Sequence, residues 1–323
     1  MSRTEGKHAA VVSIEGRRDV KPTSSRVGRT LRITGVTVAL VTVGFAVNLL
    51  QILASPVALI SRRLAHSLNS YVTWFGWTLC QYFVEDQDNV KLTFSGLDEL
   101  PEGESAFVIA NHAFFGDFFL THAVARKKGM LSYCRYFLKD SIKYIPVFGW
   151  GMYFCNMIFL KRDWQRDNRR LAGAIGLYLE CELPIWLVSH VEGHRMNPSK
   201  RLESQKYAKA HGLPVLENVL LPRCKGFVST IAALRGSHVK YVYDITVAYH
   251  HRVRGFLGTP SLGEVLSGGL DDYQFHAHVE RIPISQLPLD EPNLNKWLYD
   301  LYVEKDRLLA KIKAAFEAKD KRT

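Results

Sequence analysis

The sequence predicts an α/β protein: a mixed central sheet flanked by helices, preceded by an N-terminal membrane-inserted helical segment. Three observations carry this expectation. Residues 33–61 contain no charged side chain. From about Lys91 onward, short apolar runs alternate with segments of helical apolar spacing, the pattern of strands and helices layered on one another. A long amphipathic stretch closes the chain.

Taken in order, residues 1–30 are polar and Arg-rich ("EGRRDVKPTSSRVGRT"). They hold too little apolar surface to pack and read as a flexible basic tail. Residues 31–85 read as a membrane helical segment or hairpin. The uncharged run exceeds the roughly 20 residues a helix needs to cross a bilayer. Arg26, Arg29 and Arg32 precede it, and Arg62 and Arg63 follow. Pro56 is placed to end or kink the first helix. A second apolar run, 64–84, carries Tyr71, Trp74, Trp77 and Tyr82, types that favour the membrane interface. Cations at both ends of the first run fit a re-entrant or two-helix hairpin, with the rest of the chain on one side.

Residues 86–323 read as one α/β domain. "SAFVIAN", "CNMIFLKR", "LPIWLVSH", "KYVYDITVAYH" and "FHAHVERIPIS" are predicted strands. "GDFFLTHAVARKKG", "RDNRRLAGAIGLYLECE" and "KGFVSTIAALRGS" carry helical spacing, and "NLNKWLYDLYVEKDRLLAKIKAAFEAKDKR" is the closing amphipathic helix. At 323 residues and 47% apolar, the chain can bury a real core. The net charge of +11 and pI near 9.4 call for an anionic partner: nucleic acid, an anionic membrane or a phosphorylated substrate. The five cysteines are scattered with no C-x-x-C pair, so neither a disulfide framework nor a zinc site is indicated, in keeping with a reducing compartment.

Ligands of α/β sheets gather where strands end, and four stretches there hold chemistry. The first is "NHAFFGD". His112 and Asp117 are five apart, off one helical face, and can meet only if the segment turns, which Gly116 permits. A carboxylate on one ring nitrogen would make the other a general base. An Asn111 helix cap beside an ordinary buried His is the plain alternative. The second is Lys161 and Arg162, which follow a predicted strand. The third is "VEGHR", where Glu192, Gly193 and Arg195 suit a phosphate-binding turn, because Gly lets the backbone approach and Arg can fork onto phosphate oxygens. The fourth is "LPRCKGF", a proline turn with Arg223 and Lys225. His190, His211, His250 and His251 have no partner at telling spacing and read as structural or exposed.

The order N-H-x-x-x-x-D, a strand ending in Arg, E-G-x-R, then a Pro-containing apolar turn resembles the glycerolipid acyltransferase family. The likeness is greatest to the eukaryotic branch holding the lysophosphatidic acid, lysophosphatidylinositol and lysocardiolipin acyltransferases. "LKDSIKYIPVFGWGMYFCNMIFLKRDW", "VLLPRCKGF" and "WLYDLYVEKDRLL" carry that closer likeness. The resemblance implies a glycerol-phosphate acyltransferase-like fold and transfer of an acyl group from acyl-CoA to a glycerol hydroxyl of a lysophospholipid. Lysophosphatidic acid is the default acceptor, with lysophosphatidylinositol or lysocardiolipin as alternatives.

It implies His112 as general base and Asp117 as its orienting partner, without an acyl-enzyme. It also implies Asn111, Lys161, Arg162, Glu192, Gly193, Arg195, Pro222 and Lys225 as substrate-binding residues. No metal and no cofactor are expected, acyl-CoA being a co-substrate. The expected partners are acyl-CoA, lysophospholipid and the phospholipid membrane, not nucleic acid, with integral placement in the endoplasmic reticulum membrane. One departure stands out: the third motif commonly reads E-G-T-R, and His194 replaces the Thr. Two rival readings are a Ser-His-Asp hydrolase, which lacks a G-x-S-x-G elbow, and a basic membrane-anchored lipid-binding scaffold.

Overall fold

The structure, a computed structural model, describes residues 26–86, 90–161 and 164–320. The expected tail therefore lies outside the described residues up to residue 25, while residues 26–30 are already helical. Helix α1 (Arg26–Ala54) spans 29 residues, about 43 Å at the α-helical rise. It ends where Pro56 enters a 3₁₀ turn. Ser61 then caps α2 (Arg62–Gln81) by accepting a hydrogen bond from the Leu64 N–H at 3.2 Å.

The two helices pack as a hairpin whose polarity is reversed relative to a water-soluble domain. The buried stripe of α2 is His66, Ser70, Thr73, Trp77 and Gln81, one helical face by spacing. Its exposed side carries Leu64, Tyr71, Trp74 and Phe75. The inward polar groups are bonded to the domain: Ser70 Oγ accepts from Arg135 Nη2 at 2.9 Å, and Gln81 Nε2 donates to the Phe119 carbonyl at 3.1 Å. On α1, the Asn48 amide donates to the Val147 carbonyl at 3.0 Å, while Val38, Phe45, Leu49 and Leu53 face outward. Among the described residues, the helical run Arg26–Leu59 is the one long and apolar enough to cross a membrane, with mean hydropathy 2.1. The second apolar run is thus an amphipathic helix laid on the domain.

The domain adds β1 (Lys91–Ser95), β2 (Ala106–Ala110), α3 (Asp117–Lys127), β3 (Cys134–Lys139), α4 (Phe148–Phe154), β4 (Ile158–Leu160), α5 (Trp164–Glu180) and β5 (Trp186–Ser189). After these come α6 (Pro198–Ala210), α7 (Cys224–Leu234), β6 (Tyr241–His251), β7 (Gly255–Phe256), α8 (Leu262–Ser267), β8 (Tyr273–Pro283) and α9 (Glu291–Asp320). The sheet runs β1-β8-β6-β2-β5-β3-β4, with β7 beside β6. Strands β6, β2, β5, β3 and β4 are mutually parallel. β8 is antiparallel to β6, and β1 is parallel to β8, so the sheet is mixed as expected.

Side chains alternate across the sheet. Ala106, Val108 and Ala110 of β2 join the core with α2 and α3, and Phe107 and Ile109 join the core with α5, α7 and α9. Helices thus flank both faces. On the α9 side, Lys305 is fully buried and ion-paired with Asp244 at 2.7 Å, tying α9 to β6.

Candidate active site

Because β2, β5, β3 and β4 are parallel neighbours, the loops after them emerge at one end of the sheet. β2 runs straight into Asn111 and His112. The chain then bends through Gly116 into α3, whose first residue is Asp117. That bend brings the two side chains together: His112 Nδ1 lies 2.7 Å from Asp117 Oδ2. The same carboxylate accepts the N–H groups of Ala113 (2.9 Å) and Phe114 (3.1 Å) and, on Oδ1, the hydroxyl of Tyr249. Asp117 is fully buried. Four donors fill its acceptor sites, so Nδ1 of His112 carries a hydrogen, the tautomer that in the neutral ring leaves the lone pair on Nε2. His112 is part-exposed, 22% by side chain, and lines a cavity of about 1930 Å³.

A metal could in principle draw on His112, Asp117 and His190, whose ligand atoms lie within 4.8 Å of one another. The donors already on Asp117 leave it no free lone pair to offer such an ion.

The loop after β5 folds over the dyad. Glu192 is buried (2% exposed); Oε1 accepts the His112 N–H at 3.1 Å and Oε2 the Leu220 N–H at 3.2 Å. It therefore clamps three segments together: the loop after β2, its own loop, and the chain leading to Pro222. Burial pushes its carboxyl up to about 8. The Met196 N–H donates to the His112 carbonyl at 2.7 Å, closing the same frame.

Gly193 has φ +71°, and a Cβ there would sit 2.9 Å from Arg223 Cδ, so both backbone shape and close approach require glycine. Arg223 Nη2 lies 3.0 Å from His194 Nδ1. The guanidinium can only donate, so the imidazole that stands in the place of Thr holds this arginine.

Of the residues picked out in the sequence, His112, Glu192, Gly193, Arg195, Pro222 and Lys225 line the one cavity. Asn111 and Lys161 do not. The Asn111 amide is buried and bonded to both backbone groups of Val247 (2.8 and 2.9 Å), so it pins β2 to β6. The Lys161 N–H donates to Asp167 Oδ1 at 2.8 Å and its side chain is exposed. Arg162 lies outside the described residues.

His190, read as structural or exposed, stands in the site. Its ring stacks on that of His112 at 4.2 Å and 16°, and its Nδ1 donates to the Ala110 carbonyl at 3.3 Å. Burial, with the charge of His112 second, holds it down to about 4. Its position immediately after the end of a buried strand could have suggested inward placement. Arg223 and Lys200 also line the cavity, beside apolar side chains of α1, α2 and α4 such as Val43, Val47, Leu79 and Met152. The site thus joins a histidine–aspartate pair, a cationic rim and an apolar wall in one space.

Residues 91–250 match the family described as Acyltransferase, and residues 264–322 the one described as Acyltransferase C-terminus. The chain is 33% identical over 72% of its length to a probable 1-acyl-sn-glycerol-3-phosphate acyltransferase 5 of Arabidopsis thaliana, covering 59% of that protein. It is 34% identical over 76% of its length to the human 1-acyl-sn-glycerol-3-phosphate acyltransferase gamma, covering 62% of it. Against a crystal structure of the 1-acyl-sn-glycerophosphate acyltransferase PlsC of Thermotoga maritima, the TM-score is 0.47 at 14% identity, over 88% of this chain and 98% of that one. The 1-acyl-sn-glycerol-3-phosphate acyltransferase 2 of Brassica napus is 32% identical over 84% of this chain, which spans 69% of it; with the family match over residues 91–250, the chain belongs to the acyltransferase family.

Proposed function

We propose that this chain transfers a fatty acyl group from acyl-CoA to the free glycerol hydroxyl of lysophosphatidic acid, giving phosphatidic acid. The observation that carries the reading is the His112–Asp117 pair at 2.7 Å, set on a cavity that is cationic on one part of its lining and apolar on another. Both substrates bear phosphate and an acyl chain, so one site must offer both surfaces. At about 1930 Å³, the space exceeds the roughly 300–1,000 Å³ of a pocket for one drug-sized ligand. The relatives' own names favour the 1-acylglycerol-3-phosphate acceptor.

In the proposed reaction the lysolipid hydroxyl donates to His112 Nε2. As its oxygen attacks the thioester carbonyl, the proton passes to the imidazole. Collapse of the tetrahedral adduct expels the CoA thiolate, which takes that proton. Asp117 fixes the tautomer and stabilises the imidazolium, a form of assistance worth about 10²- to 10⁴-fold in rate. No acyl-enzyme forms. Arg195, Arg223, Lys200 and Lys225 supply charge for the phosphates, charge-assisted contacts being the strong ones. In this reading the outward apolar faces of α1 and α2 embed in the bilayer, supported by the exposed Val38, Leu49, Leu53 and Phe75.

The test is acyl transfer by the purified chain in detergent, with labelled oleoyl-CoA and a panel of lysophosphatidic acid, lysophosphatidylinositol and lysocardiolipin. The highest kcat/KM is expected for lysophosphatidic acid. Equal or better use of lysophosphatidylinositol would move the acceptor assignment, and no transfer to any acceptor would leave the scaffold reading standing.

A further inference from the structure

Tyr249 lies 132 residues beyond Asp117 in sequence and carries no signal of the site in its own surroundings. Its hydroxyl nevertheless donates to Asp117 Oδ1. Both residues are buried, Tyr249 at 1% exposure. The tyrosine reaches that point for a structural reason. Asn111, the residue just before His112, grips Val247 through both atoms of its amide. Two residues further along β6, on the same face by strand alternation, stands Tyr249. The Asn111 clamp thus sets the register that brings the phenol to the carboxylate. The ring is held edge-on between Phe114 (5.9 Å, 73°) and Phe275 (5.6 Å, 85°).

We propose that Tyr249 is the third member of a buried relay, His112–Asp117–Tyr249, and acts as a positioning residue for the acyl transfer proposed above. Its O–H occupies the carboxylate oxygen that His112 does not use. Without it, Oδ1 keeps only the Phe114 N–H at 3.2 Å. The carboxylate then depends on the backbone N–H groups of Ala113 and Phe114 alone for its orientation, and its hold on Nδ1 loosens. The titratable groups that face the dyad are His190, stacked on His112, Glu192, which accepts the His112 N–H, and Tyr136, which feels the charge of Asp117. Among the described residues, Tyr249 is the one side chain other than His112 that donates to Asp117.

Tyr249→Phe removes one oxygen and keeps the ring packing. The expected result is a kcat lower by about tenfold or more, the worth of one hydrogen bond to a charged group, with KM for both substrates unchanged. The acid limb of the kcat/KM profile moves to lower pH, because a carboxylate set less firmly against Nδ1 stabilises the imidazolium less. In an Asp117→Asn background the same change costs nothing further, since a residue acting through Asp117 has nothing left to act on. Independently of activity, the low-field proton resonance of His112 Nδ1–H in detergent shifts in Tyr249→Phe and vanishes in Asp117→Asn. Wild-type kcat, pH profile and resonance in Tyr249→Phe would overturn the proposal, as would a full multiplicative loss in the double variant. If the wild-type chain transfers no acyl group, the proposed reaction fails while the resonance still decides whether Tyr249 holds Asp117.

Discussion

Replacing Glu192 by Gln tests whether the clamp over the His112 loop is the pH-sensitive joint its burial makes it. The carboxyl is 2% exposed, and burial lifts it from 4.5 to about 8. A carboxyl raised on folding contributes stability that is fully present below its unfolded value, near 4.5, and that is lost as pH rises through about 8. At about 1.4 kcal/mol per tenfold, the swing across that window is on the order of 5 kcal/mol. Gln cannot ionise. It does turn an NH₂ toward one of the two N–H groups the carboxyl accepts (from His112 at 3.1 Å and Leu220 at 3.2 Å), at a roughly constant cost of about 1–3 kcal/mol. The two proteins should therefore converge or cross as pH rises. The assay is apparent Tm of both in detergent at pH 5, 7 and 9, read as the difference so that all other titrating groups cancel. Wild type is expected to lose several degrees relative to Glu192→Gln between pH 5 and 9. A difference that stays constant over that range would refute the argument.

Arg195→Ala should lower kcat/KM for lysophosphatidic acid by about 10- to 100-fold, the worth of one charge-assisted phosphate contact; kinetics unchanged for that acceptor would remove the residue from substrate binding. Lys305→Met leaves Asp244 buried without its cation at 2.7 Å and should cost about 3–5 kcal/mol. Thermal unfolding would show this, with most of it recovered in Lys305→Met/Asp244→Leu; full stability of the single variant would show that the pair does not hold α9. Carbonate washing should leave the full-length chain with the membrane, since Val38, Phe45, Leu49 and Leu53 face outward; release into the supernatant would rule out insertion of α1.

The parts of the fold legible in the sequence are those where one physical rule acted alone. β2 and β5 lie between parallel neighbours, are buried on both faces and read as short unbroken apolar runs. The His112–Asp117 pairing is readable because Gly116 between them leaves room for the chain to turn; a Cβ there would run into the Phe114 ring. β3 escapes that pattern because Arg135 breaks its apolar run. That guanidinium is nonetheless buried, bonded to Ser70 Oγ (2.9 Å), the Tyr178 hydroxyl (3.2 Å) and the Ser132 and Cys134 carbonyls (2.8 and 3.0 Å), partners from three separate elements that no local pattern announces. β1 is a short edge strand whose alternation is too brief to stand out. Tyr249 and the Asn111 clamp depend on strand pairing between β2 and β6, which sequence spacing does not encode. Motif position points to Asn111 and Lys161 alike, but the Asn111 amide is spent on Val247, and among the described residues Lys161 is bonded there only through its backbone N–H. The reversed polarity of α2 was hidden for a similar reason: its apolar residues signal membrane, while the polar stripe that fixes it to the domain has meaning only against Arg135 and Phe119.

The measurement closest to the centre of the account is the transfer of labelled acyl groups from acyl-CoA to lysophosphatidic acid by His112→Ala, compared with wild type in the same detergent. The expected outcome is a rate lower by about 10²-fold or more, with Tm and membrane association preserved. Transfer at the wild-type rate by the folded variant would show that the imidazole at the end of β2 is not the base.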